Sequence, residues 1–326
     1  MAADGTVTPS AEAAPPRRAD GAIRVAPGGF GEKLMNADKP LTEALRAIDS
    51  LDWSEERGEV AFSAKREKDF DIGLVSTEGG AVHWMPNDPA DEVRVEWAPR
   101  GNKISYVIRA AGGDVVRTLH IPSSYQFAIP FDNGTVHALA WDPQAEHYAV
   151  AWSTPDASDR VDVLEYDGGA RRTAIPPAAT LDVEVAPFSP GAIVLHPRDI
   201  HYDEKLPLVV WVDDAFSWSD ARAALLKKVR VAVVITKQAP DAALWEAAAK
   251  TPWLDPTRTF LVTPSALSPQ PSAPSTIITS DPALPPARSL RHGPVVTVAP
   301  AVLQSFAAGF IADQLERTAP THGSSR

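Results

Sequence analysis

The chain has 326 residues, 44% hydrophobic and 22% charged, ordinary for a soluble globular protein with room for two cores. A formal net charge of −11 argues against nucleic acid or an anionic membrane as the main partner, since both need a basic face, and no stretch approaches the roughly 18 apolar residues of a membrane span. Cysteine is absent, so disulfides, thiolate metal sites and cysteine nucleophiles are excluded.

Residues 1–39 are rich in Ala, Pro and Gly and show no amphipathic period, so they read as a flexible leader. Arg17-Arg18 is followed by no apolar segment and is not a twin-arginine export signal. The protein is then cytoplasmic, or periplasmic if a signal peptide has been removed. A short helix is expected over residues 41–48, Leu-Thr-Glu-Ala-Leu-Arg-Ala-Ile.

From there a repeat takes over. Trp53, Trp97 and Trp141 are each 44 residues apart, in the frames Asp52-Trp53-Ser54, Glu96-Trp97-Ala98-Pro99 and Ala140-Trp141-Asp142-Pro143. Each frame leads into a short apolar strand: Val60-Ala61-Phe62, Ile104-Ser105-Tyr106-Val107 and Tyr148-Ala149-Val150-Ala151-Trp152. Further strands end at the turns Glu78-Gly79-Gly80 and Asp167-Gly168-Gly169, as hairpins require. One more step of 44 reaches Val185, inside the echo Glu184-Val185-Ala186-Pro187. A period of this length with short strands marks propeller blades, and the tryptophans are expected to be blade-core anchors without chemistry. Residues 40–200 therefore read as an all-β partial propeller of three to four blades. Its open sheet edges need cover from the leader, from the other domain or from another chain.

Residues 201–317 alternate strand and helix. Leu208-Val209-Val210-Trp211-Val212 is a strand buried on both faces, Ser219 to Leu226 a helix and Val231 to Ile235 the next strand. A helix capped by Asp241 runs to Lys250. Strands at Thr259–Val262, Thr276–Thr279 and Val295–Val298 follow, then an amphipathic helix from Val302 to Arg317. This pattern argues a parallel sheet covered on both sides. Residues 318–326 read as a flexible tail.

The junction Ile193-Val194-Leu195-His196-Pro197-Arg198-Asp199, the run Lys205 to Val210, and Asp255-Pro256-Thr257-Arg258-Thr259-Phe260-Leu261-Val262-Thr263-Pro264-Ser265-Ala266-Leu267 together resemble the prolyl oligopeptidase family of serine hydrolases. The resemblance covers roughly Leu51 to Arg317. It implies a shortened α/β-hydrolase-like domain after the blades, with Ser265 in register with the nucleophile of a Gly-x-Ser-x-Gly elbow. Asp281 takes the acid position, and His292 is the histidine nearest the base position. The oxyanion loop corresponds to Asp213-Asp214-Ala215, with Ala266 following the nucleophile.

Each part of that machinery departs from the family pattern. Thr263 and Leu267 stand where the elbow has glycines, and they resist its strained turn. Asp213 and Asp214 replace a His-Gly-Gly type loop, placing carboxylates where oxyanion donors are needed. His292 precedes the last strand instead of following it, and a Pro/Ser-rich bypass, Ser268 to Pro274, fills the interval between Ser265 and Asp281. A serine without a base is a poor nucleophile. The expected role is non-catalytic: a scaffold or binding module for another protein or peptide, with oligomerisation open through the blade edges. The alternatives are a peptidase or esterase using Ser265, and a periplasmic binding module similar to TolB-type propellers. Asp213, Asp214 and Asp281 could in principle hold magnesium or calcium, but the expectation is a solvated acidic rim or helix caps. No metal and no cofactor is expected.

Overall fold

The computed structural model describes residues 23–86, 88–213, 215–263, 276–279, 295–297 and 303–318. The chain divides into two compact units, Met1–Trp152 with Asp159–Pro177, and Ser153–Ser158 with Ala178–Arg326.

The first unit opens on an antiparallel sheet of β1 (Ile23–Gly28), β2 (Gly31–Asn36) and β3 (Lys39–Pro40). This corrects the reading of residues 1–39 as a leader: from Ile23 onward the segment is folded, and Ile23 and Leu34 are buried. The helix expected over residues 41–48 is also absent. Glu32 and Leu45 exchange backbone hydrogen bonds of 2.7 and 2.6 Å, and the Leu41 N–H donates to the Leu34 carbonyl at 2.8 Å. A helix of eight residues has little stability of its own, so pairing with β2 prevails.

Three four-stranded sheets follow in sequence order. The first holds β4 (Ile48–Ser54), β5 (Glu59–Lys65), β6 (Phe70–Ser76) and β7 (His83–Trp84). The second holds β8 (Glu92–Trp97), β9 (Lys103–Ala110), β10 (Gly113–His120) and β11 (Tyr125–Asp132). The third holds β12 (Thr135–Trp141), β13 (His147–Thr154), β14 (Ala157–Glu165) and β15 (Arg171–Ile175). The repeated tryptophans sit at the end of β4, β8 and β12; Trp97 and Trp141 are buried core residues, and Trp53 packs half-buried.

Strand alternation builds the contacts between these sheets. Val60, Phe62 and Ala64 of β5 pack with Ile23 and Leu34 of the opening sheet. Ala61, on the other face of β5, joins Ile104, Tyr106 and Ile108 of β9. Val107 of β9 in turn joins Tyr148, Val150 and Trp152 of β13. The unit is thus a row of β-sheets, consistent with a partial propeller.

The echo at Glu184-Val185-Ala186-Pro187 does not open a fourth sheet of this kind. It lies in β16 (Val183–Ser189), which pairs with β17 (Ala192–Pro197) in the second unit. The change of architecture therefore falls near residue 178, earlier than the expected 200. The unit continues with β18 (Leu206–Val212), α1 (Asp220–Lys228), β19 (Ala232–Thr236), α2 (Ala242–Lys250), β20 (Leu254–Thr263), β21 (Thr276–Thr279), β22 (Val295–Thr297) and α3 (Leu303–Thr318). Seven strands form one sheet in the order β16-β17-β19-β18-β20-β21-β22. β17 runs antiparallel to both its neighbours, while β18, β19, β20, β21 and β22 pair in parallel.

Both faces of the central strands of this sheet are buried. Val209, Trp211, Val233 and Ile235 pack on one side with α1 and α3. Leu208, Val210, Val234 and Leu261 pack on the other with Leu244 and Ala248 of α2. Ser219 and Asp241 cap α1 and α2, their side chains accepting the N–H groups of Arg222 and Leu244 at 3.4 and 2.9 Å. Among the described residues no helix is long and apolar enough to cross a membrane.

Candidate functional site at the carboxyl end of the mixed sheet

In open sheets of parallel strands, ligands gather where the strands end, because loops there carry free polar groups. In this chain β18 ends at Val212, β19 at Thr236 and β20 at Thr263. The N–H of Asp213, just past β18, donates to the Thr236 carbonyl at 3.0 Å, so the loop leaves the sheet beside the end of β19. Thr236 closes its own loop, its hydroxyl donating to the Gln238 carbonyl at 3.0 Å.

Arg222 dominates this end of the sheet. It projects from the first turn of α1, three residues before buried Leu225 on the same helix face. Its side chain is 1% exposed, and the guanidinium pairs with the Asp213 carboxylate, itself 15% exposed. A second guanidinium nitrogen donates to the Ser217 carbonyl. Arg222 Nε has no acceptor among the described residues. Burial pushes the Arg222 guanidinium down, and the Asp213 charge pulls it back up. The loop continues through buried Phe216, with Lys237 Nζ 4.8 Å from its ring centre, and through Trp218, whose N–H donates to Ser153 Oγ at 3.2 Å.

Of the residues singled out in the sequence, Asp213 and Ala215 stand in this loop, and Ala215 is half-buried. Asp214, Ser265, Ala266, Asp281 and His292 lie outside the described residues. Asp213 does not face solvent as a free carboxylate of an acidic rim; its charge is matched by Arg222. Sequence reasoning missed Arg222. The available signal was its register, three and four residues ahead of Leu225 and Leu226 on the apolar side of α1.

The described histidines are placed elsewhere. His196 is buried, with Nδ1 2.9 Å from the Pro197 carbonyl and its ring 4.7 Å from that of Trp253. His147 lies 3.1 Å from Asp142, and His137 lies 3.4 Å from Asp159. His120 Nδ1 lies 2.7 Å from Ser123 Oγ, but this is an exposed contact within one turn, and among the described residues no carboxylate orients the ring. Among the described residues no group of three or more His, Asp or Glu could hold a metal ion.

No family model matches the sequence, and no curated protein matches it. Solved structures do. A prolyl endopeptidase matches with a TM-score of 0.57 and 10% identity over 76% of this chain and 45% of its own. Oligopeptidase B from Leishmania major matches with a TM-score of 0.56 and 7% identity over 79% and 48%. Prolyl oligopeptidase B from Galerina marginata gives 0.55 and 8% over 79% and 45%. At such identity the likeness is one of fold. The chain spans somewhat less than half the length of these structures.

Proposed function

We propose that this protein is a non-catalytic relative of the prolyl oligopeptidases, a partial propeller joined to a shortened α/β-hydrolase-like domain, and that it acts by binding another protein or peptide. The fold likeness supports the ancestry, and the parallel strands flanked by helices support the hydrolase-like reading of the second unit. The observation that carries the inactive reading is the Asp213–Arg222 pair. In the family resemblance the loop after this strand supplies oxyanion donors. Here its first residue is a carboxylate, held by a buried guanidinium. An ion pair has no net charge to offer a developing oxyanion, and two of the three guanidinium nitrogens are already committed to Asp213 and Ser217. Thr263 strengthens the case: in the family resemblance it stands where the elbow has its first glycine, and here it is buried and continues β20 in register with Thr279.

A fluorophosphonate probe tests this directly. The expected outcome is no labelling of the purified protein from pH 6 to 9, a range spanning the titration of any ordinary histidine base. Labelling that vanishes in Ser265→Ala would establish a working serine hydrolase, with Ser265, Asp281 and His292 as the first residues to test.

A further inference from the structure

The junctions within the row share one construction. Ala61 on β5, Ser105 on β9 and Ala149 on β13 are 44 residues apart and keep one face of each sheet shallow. Into the first shallow face pack Ile104, Tyr106 and Ile108; against the second pack Tyr148, Val150 and Trp152. The third face has the same small residues. Ala140, Ala149 and Ala170 surround Val163 there, with Trp141 and Arg172, in a groove of about 760 Å³. That volume lies within the range of clefts that take a small-molecule-sized group, and the groove is open on one side.

The charges around this groove are unequal. Asp142 is satisfied locally, accepting from the Glu146 N–H at 3.0 Å and lying 3.1 Å from His147 Nδ1. Glu165 accepts the Ala170 N–H at 3.0 Å. Arg172, directly across the ladder from Val163, is exposed, and its side chain makes no hydrogen bond or ion pair among the described residues. A shallow apolar face beside an uncommitted guanidinium suits a ligand with bulk and a negative charge.

We propose that this groove docks an extended segment of a partner protein bearing large apolar side chains at alternate positions and an acidic side chain that pairs with Arg172. The two filled junctions of the same row supply the precedent for the apolar part. The proposal rests on the reading of this chain as a binding protein, and it gives that reading a surface and a partner chemistry.

The probe is a fluorescein-labelled, N-acetylated peptide, Phe-Thr-Phe-Thr-Asp-Thr, which places both phenylalanines and the aspartate on one side of an extended chain. Fluorescence anisotropy is expected to show saturable binding to the full chain. Arg172→Glu should weaken it by about tenfold or more, and a peptide with Lys in place of Asp should recover binding to that variant. Ala149→Trp, which fills the groove, should abolish binding, with circular dichroism verifying its fold. No saturable binding by the wild type overturns the proposal, as does binding that is indifferent to Arg172→Glu. The fluorophosphonate experiment is independent: peptide binding with labelled Ser265 would keep the groove and refute the inactive reading, while neither binding nor labelling would do the reverse.

Discussion

The Asp52 carboxylate, on β4, accepts the backbone N–H of Trp97, 45 residues later at the end of β8, at 2.8 Å. Asp49 and Ser50 likewise accept the N–H groups of Arg94 and Val95, both at 3.0 Å. Side chains of the first repeat thus satisfy the backbone of the second, replacing a strand-to-strand ladder. Asp52→Ala would leave the buried Trp97 N–H without its acceptor and should cost about 1–3 kcal/mol in urea unfolding. Asp52→Asn, which retains an acceptor oxygen, should cost less.

Glu92 gives the first unit a pH dependence. It is fully buried on β8, accepts the Ile72 N–H at 3.2 Å and lies 3.7 Å from Arg117. Burial pushes its carboxyl up to about 7, outweighing the opposing pull of the Ile72 N–H and Arg117. The folded state therefore holds a proton that the unfolded chain releases near its ordinary value of 4.5. The resulting stability is fully present below that value and is lost as pH rises to about 7, a change on the order of 3 kcal/mol. Burial raises Asp71 as well, which acts in the same direction. Denaturant titrations at pH 5 and pH 8 should show the decline, and Glu92→Gln should flatten it.

The buried pair at the sheet end makes an asymmetric prediction. Asp213→Ala leaves the Arg222 guanidinium uncompensated in the core and should destabilise the second unit by about 3–5 kcal/mol. Replacing both partners with apolar residues, Asp213→Leu with Arg222→Met, should cost much less. Equal losses in the single and double variants would contradict this description of the pair.

Gly73 on β6 is fixed by packing. A Cβ there would lie 2.7 Å from the Phe62 ring, which is fully buried between the opening sheet and the first four-stranded sheet. Gly73→Val should cost about 1–3 kcal/mol by overpacking, measurable as a lowered Tm. Phe62→Leu in the same chain should recover part of that loss.

The row of four-stranded sheets was legible in the sequence because Trp53, Trp97 and Trp141 keep one spacing and each marks the end of a first strand. The strands and helices of the second unit were legible for a similar reason: Leu208 to Val212 is apolar throughout, and Asp241 announces its helix. What escaped was decided by contacts distant in sequence. Leu45 sits in a stretch with helical composition yet pairs with Glu32, and Val185 lies at the blade interval yet belongs to another sheet. Arg222 was not singled out among the alanines of its helix, and only the placement of Asp213 shows why it is buried. For the proposed nucleophile, acid and base, Ser265, Asp281 and His292, the sequence remains the source of the assignment.

A closed ring fixes how many members it can hold, because each must also meet the one that completes the circle. Sheets joined only to the ones before and after them carry no such constraint. Each junction in the first unit is made by two adjacent repeats, as at Ala61 with Tyr106 and Val107 with Trp152. A 44-residue repeat could therefore be duplicated or deleted while every remaining joint keeps its chemistry. Closure therefore sets no copy number for this row, and the face proposed for docking would shift with its last member.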